Sequence, residues 1–409
     1  MFVFIFLFLA FYIVLFYKTK NILLTLPIFY SLTVAYSYLG IKVFSFGIEV
    51  PFDLYNAFPE KEWDVSLTAY LLSSAFFTTG LLFSGIQEPE SSSIEYNTSK
   101  KYSKVGAILV DKSDWGKIFL LILTILFLIS GYGLENLLSR EGYVPHEGRN
   151  KLLLIFYMMF LPLSSFSLAF LKSRYLRVFG YSILFLLVFG TTARMLLLLP
   201  AIYYLGICIK FGRLKIKYGL FTFFVLLFII TYTLEYRNLP IQGIIPNLKY
   251  MMTNGVSVDY IILGLNYILS YSFASNSYSI YSFSFDFNSF LIAINPMPSS
   301  MLDISYMLDN MSMNANSPIP TIGYLFLSGF FVGSLYYFFA GFIFNKVFRY
   351  AKRNNTILYM VILALFCLFV LLSGQYNLRG STRLIYYCVF VTLLYRSYRI
   401  LKYNIKINL

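Results

Sequence analysis

The sequence predicts an all-α polytopic membrane protein of about eleven transmembrane helices, with one long loop that carries short helices. Three observations carry that expectation. The 409 residues are 59% hydrophobic and only 12% charged, with a mean hydropathy of +0.71, whereas soluble domains run near ~45–50% apolar and ~25% charged. The apolar residues gather into segments close to the ~20 residues that a helix needs to cross a bilayer. The basic residues are shared unevenly between alternate connections, as membrane insertion demands. Taken alone, the net charge of +14 would fit a nucleic-acid binder, but a soluble chain this apolar would aggregate. Nucleic acid as a partner, a disordered chain, a disulfide scaffold and a soluble enzyme are thereby excluded.

Eleven apolar segments follow one another, at 2–17, 21–40, 65–86, 117–131, 152–171, 176–191, 195–209, 218–234, 321–345, 356–373 and 384–398. Each is expected to be a helix, because lipid offers no partner to a bare backbone group. The first starts at Phe2 without a basic region before it and ends at Lys18 without a small-residue cleavage site, which predicts a retained helix. With the N-terminus outside, the inner connections hold 22 basic and five acidic residues, and the outer side holds 10 basic and 13 acidic. Inside is then +17 and outside −3, so the predicted topology is N-out, C-in.

Residues 1–234 therefore form the first eight helices, 235–320 a long outer loop, and 321–409 the last three helices with a cytoplasmic tail. Within the loop, VDYIILGLNYILSYSF (258–273) is apolar, but a crossing there would place eight downstream basic residues outside and two inside. An interfacial or re-entrant helix is expected instead, with Ile261, Ile262, Leu265, Ile268 and Leu269 at helical spacing. The rest of the loop is rich in Ser, Asn, Tyr, Pro and Met, and Pro296, Pro298, Pro318 and Pro320 impose extended or turn backbone. A long outer loop on a helical bundle is where substrate contacts are expected.

Of the ten basic residues outside, six are arginines: Arg140, Arg149, Arg194, Arg237, Arg379 and Arg383. Inside, seven Arg stand against fifteen Lys, a set explained by topology and lipid headgroups. The outer arginines run against that bias, and a planar fork that grips two phosphate oxygens is a reason to keep them. Arg194 follows GTTA at a helix start, Arg237 follows a helix end, and Arg379 and Arg383 bracket a short turn, LRGSTR. All lie at the expected membrane–water boundary, the depth at which a lipid-linked diphosphate holds its phosphates. The bland alternatives are snorkelling and ion pairing, as between Arg237 and Glu235.

A second cluster, REGYVPHEGRN (140–150), packs Arg140, Glu141, His146, Glu147 and Arg149 between two helices. It offers proton acceptors, His146, Glu141 or Glu147, beside cations, Arg140 and Arg149, able to steady a departing diphosphate. The alternative is a solvated charged loop. Cys208, Cys367 and Cys388 lie in apolar runs without CxxC spacing, and His146 is the single histidine, so disulfides and His-rich metal sites are excluded. There is no GxxxxGK[ST] and no HExxH, and the first outer loop shows Glu62 and Asp64 spaced rather than adjacent, which disfavours metal-dependent transfer.

The layout resembles the oligosaccharide repeat-unit polymerases (O-antigen polymerases, Wzy type) of Gram-negative bacteria. The resemblance spans the whole length, and locally GTTAR (190–194), LEYRN (234–238), FNSFLIAINPMPSS (287–300) and SPIPTIGYLFLSGFFVG (317–333) look like family segments. It implies polymerisation of undecaprenyl-diphosphate-linked repeat units at the periplasmic face of the inner membrane, for O-antigen in lipopolysaccharide biosynthesis. No cofactor and no metal is needed, because the glycosyl-diphosphate bond supplies the energy. By position, Arg194, Arg237, Arg379 and Arg383 would hold the diphosphate with Arg140 and Arg149 assisting, and His146 and Glu147 stand as catalytic candidates. Membrane lipids and a chain-length regulator protein are the implied partners. Alternatives are an O-antigen ligase, which resembles this layout but relies on a histidine in its long loop, and a lipid-linked oligosaccharide flippase or exporter.

Overall fold

The fold is all-α, and in this computed structural model the described residues are 2–19, 21–40, 51–59, 61–85, 104, 106–111, 113–142, 150–211, 216–236, 239–255, 257–314 and 317–407. The helices in chain order are α1 (Phe2–Thr19), α2 (Thr25–Val34, extended on both sides by 3-10 and π turns), α3 (Lys61–Phe83), α4 (Trp115–Tyr132) and α5 (Leu134–Leu138). Then come α6 (Lys151–Leu168), α7 (Arg174–Gly190), α8 (Leu198–Phe211), α9 (Ile216–Tyr236), α10 (Ile244–Asn254) and α11 (Val258–Ser282). The chain closes with α12 (Phe287–Ile294), α13 (Ile304–Asn310), α14 (Thr321–Leu327), α15 (Phe330–Asn354), α16 (Thr356–Leu372) and α17 (Leu378–Ile407). Two short antiparallel pairs add β1 (Arg140–Glu141) with β2 (Ile241–Gln242), and β3 (Ser312–Asn314) with β4 (Ser317–Pro318).

Every apolar segment of the sequence falls on helix. Among the described residues seven helical stretches are long and apolar enough to cross a membrane: Ile22–Leu39, Lys61–Phe83, Trp115–Tyr132, Lys151–Leu168, Lys217–Tyr236, Phe330–Asn354 and Leu378–Leu401. The bent pair of α10 and α11 would make an eighth, and Val3–Thr19, Met195–Phe211 and Thr356–Leu372 are shorter apolar helices. Caps set several starts. Asn150, Ser173 and Asn355 each turn a side-chain oxygen onto the first free N–H groups of α6, α7 and α16.

Three expectations are corrected. The segment 321–345 is two helices, because Gly329 adopts φ 93° and ends the run between α14 and α15. LRGSTR is not a turn: α17 begins at Leu378, where the Asn377 side chain accepts from the Gly380 N–H at 2.8 Å. The helix expected at 258–273 continues to Ser282, and from Asn266 to Ser279 its serines and asparagines are buried rather than laid on a surface.

The chain divides into two compact units, Met1–Glu90 with Asn266–Leu409, and Ser91–Leu265, so that the division falls within α11. In the first unit, α3 and α15 cross so closely that a Cβ on Gly80 would lie 2.0 Å from the Phe338 carbonyl, and one on Gly341 2.2 Å from that of Phe77. Its core combines Phe77, Phe344 and Phe366 with a buried polar ladder. There the Tyr30 hydroxyl pairs with Ser373 at 2.6 Å and Tyr337 at 3.0 Å, and that of Tyr70 with Ser272 at 2.5 Å. Asn276 donates to Tyr70 at 2.9 Å and to the Gly374 carbonyl at 3.1 Å. In an apolar interior each such group needs a partner, and here the helices supply them to one another. The second unit is packed around Leu128, Leu161, Leu184, Val188, Phe189, Tyr232 and Tyr236.

Candidate functional site

In the second unit α5, the end of α7 and strand β2 meet around Arg140. A helix leaves its last carbonyls without partners, and a cation there also complements the helix dipole. Arg140, 6% exposed, fills that role. Its Nη1 donates to the carbonyls of Asn136 at 3.2 Å and Gly190 at 2.7 Å, and its Nη2 to the Thr191 carbonyl at 3.1 Å. Nη2 also donates to Thr192 Oγ1 at 2.7 Å and Gln242 Oε1 at 3.3 Å, and the Thr192 hydroxyl donates on to Gln242 Oε1 at 2.7 Å. Thr192 sits at φ 51°, an uncommon conformation for a β-branched residue, at the end of GTT. Two residues later Arg194 opens a 3-10 turn, Arg194–Leu197.

The same end of the unit holds the close of α9. The Tyr232 hydroxyl donates to the Phe189 carbonyl at 2.9 Å, and the two rings stack at 4.2 Å. Glu235 is 5% exposed, with Tyr250 and Ser257 beside its carboxylate, and its Oε2 is buried without a hydrogen-bond partner. The Tyr236 hydroxyl and Asn247 Oδ1 are likewise buried without one. Arg237, the expected ion-pair partner of Glu235, lies outside the described residues, as do His146, Glu147 and Arg149.

In the first unit, Arg379 and Arg383 stand one turn apart on α17. Facing them is the end of α12 with the INPMPSS segment, in which Pro296 and Pro298 lack N–H groups and hold the backbone extended. The carbonyls of that segment therefore need outside donors. Arg379, 4% exposed, gives Nη1 to Ile292 at 2.5 Å and Asn295 at 3.2 Å, and Nη2 to Met297 at 2.7 Å. The Tyr386 hydroxyl donates to the Ile294 carbonyl. Arg383 Nη2 donates to Ser299 Oγ at 2.7 Å. Among the described residues neither arginine has a carboxylate partner.

No family model, no curated protein and no solved structure matches this chain. The arrangement is therefore read from its own chemistry. The two buried arginines, Arg140 and Arg379, do the same work in their separate units: each cross-links the carbonyls at a helix end. Each clamp also lies beside a second predicted arginine in the chain, Arg194 after the GTT turn and Arg383 one helical turn on. Sequence reading found the arginines through their sign. It missed Gln242, Thr192, Ser299 and Tyr386, whose one signal was that Thr192 and Ser299 lie in segments of family appearance.

Proposed function

We propose that the chain is a metal-independent glycosyltransferase that polymerises undecaprenyl-diphosphate-linked oligosaccharide repeat units at the periplasmic face of the bacterial inner membrane. The growing glycan passes from its lipid carrier to a hydroxyl of an incoming unit, and undecaprenyl diphosphate leaves. The observation that supports this reading most directly is Arg383. It is partly exposed beside the Ser299 hydroxyl, and its charge is not neutralised by any described carboxylate. A guanidinium next to a hydroxyl is suited to the oxygens of a phosphate. Seven helices fit to cross a membrane give a lipid-borne substrate its route of approach.

In this reading Arg383 contacts the diphosphate and Arg379 holds the backbone beside it. An eleven-crossing, N-out, C-in topology would have the 235–320 segment start and end on the periplasmic side, with α11 re-entrant, and a chain-length regulator protein act on the product. Arg383→Ala at normal expression is expected to reduce the glycan ladder on lipopolysaccharide to single repeat units. An unaltered ladder sinks the assignment. A second reading, export of lipid-linked glycans, draws on the buried hydroxyl ladder of Tyr30, Tyr70, Ser272 and Asn276. Under that reading, deletion of the gene would leave lipid-linked units at the inner leaflet rather than single units on the lipid A core. Loss of all attachment would instead mark a ligase.

A further inference from the structure

We infer that Glu235 is the proton acceptor of the transfer, a role that rests on the glycosyltransferase reading and replaces His146 and Glu147 in it. Glu235 is the one acidic side chain that is buried among the described residues. Its Oε2 is buried and left open, with Tyr250 and Ser257 beside the carboxylate. Taking a carboxylate out of water without filling its oxygens is costly, and proteins keep such groups where they have a task. A buried carboxylate oxygen left open is how a general base is presented to a hydroxyl.

The surroundings agree with a ligand that carries hydroxyl groups. The Tyr236 hydroxyl and Asn247 Oδ1 are also buried and open, and Tyr236 lies edge-on to Tyr250 with ring centres 5.1 Å apart. Aromatic faces with amide and carboxylate oxygens make a lining suited to a sugar. Through the Tyr232–Phe189 contact the close of α9, residues 234–236, comes to the same end of the second unit as the Gly190–Thr192 turn that Arg140 clamps. In the step itself, the acceptor hydroxyl gives its proton to Glu235 Oε2 as its oxygen forms the bond to the anomeric carbon. The bond from that carbon to the diphosphate oxygen breaks, its electron pair leaves with the diphosphate, and the proton passes from the carboxyl to water.

The test uses purified full-length protein with a lipid-linked repeat unit, followed by polymer formation from about pH 5 to 9. Glu235→Gln keeps the shape and removes the base. It is expected to lower kcat by about 10²–10⁴-fold, leave KM unchanged, and abolish the acid limb of the profile. A variant that keeps the wild-type kcat and acid limb overturns the assignment. Should Glu235→Gln fail to fold by thermal melting, Tyr250→Phe retains the carboxylate and removes the hydroxyl beside it. A displaced acid limb then supports the role of Glu235, and an unmoved one overturns it. Wild-type protein that makes no polymer overturns the glycosyltransferase reading itself, an outcome distinct from an active wild type matched by Glu235→Gln.

Discussion

At the scale of single residues, two arginines four positions apart on α17 are expected to behave differently. Arg379→Ala strips the donors from the carbonyls of Ile292, Asn295 and Met297 inside an apolar setting, and should cost about 3 kcal/mol. Arg379→Lys should recover little, since one ammonium cannot span three carbonyls held by a planar fork. Arg383→Ala removes one bond to Ser299 at a partly exposed position and should change stability by no more than about 1 kcal/mol while abolishing long glycans. Thermal unfolding in detergent, set beside glycan ladders, separates these outcomes. The existence of these arginines was legible in the sequence from their sign and side of the membrane. Their division of labour was not, because a guanidinium that holds backbone carbonyls leaves no mark on the residues that own those carbonyls.

At the scale of elements, caps and crossings make two further expectations. Asp303 starts α13 by accepting from the Tyr306 N–H at 3.0 Å and the Ser305 hydroxyl at 2.9 Å, and those bonds hold its carboxyl below the usual carboxylate range. The cap is therefore complete above the ordinary carboxylate pKa of ~3.9 and is lost as pH falls through the lower folded value. Exchange protection of the Tyr306 amide, corrected for intrinsic rate, should drop only below that window, and Asp303→Ala should remove the pH dependence. Gly80 and Gly341 let α3 and α15 meet backbone to backbone. Gly341→Ala must push a methyl into the Phe77 carbonyl, and about 1–3 kcal/mol of stability should be lost in a melting experiment. Most helices were legible because lipid requires long apolar runs. The break at Gly329 and the helical state of LRGSTR were not, since both hang on local backbone conformation within apolar or polar neighbourhoods that look continuous.

At the scale of the whole molecule, the charge asymmetry makes a prediction of its own. Cysteine placed at Ser299 should react with an impermeant thiol reagent applied from outside cells, and cysteine placed at Lys352 should react only after the membrane is opened. The reverse pattern would overturn the N-out, C-in reading. What the sequence left illegible at this scale is the interior of the first unit. Asn266, Ser270, Ser272, Ser275, Asn276, Ser277 and Ser279 have the composition of a surface loop, yet all are buried. Their partners lie far away in the chain: Ser272 meets Tyr70 at a separation of 202 residues, and Ser277 meets Ser66 at 211. No local pattern can encode pairings of that range.

Those pairings bear on how the protein is made. During synthesis α2 and α3 reach the translocon long before α11, and each can enter lipid on its own apolarity. α11 does not reach that mark unaided, since it counts towards a span only together with α10. Its row of serines and asparagines would meet hydrocarbon bare unless the tyrosines of the earlier helices already stood ready to receive it. The helix thus arrives as a guest of a bundle begun two hundred residues earlier, and a ribosome stalled just past Ser282 should yield it unintegrated if Tyr36 and Tyr70 have been replaced by Phe.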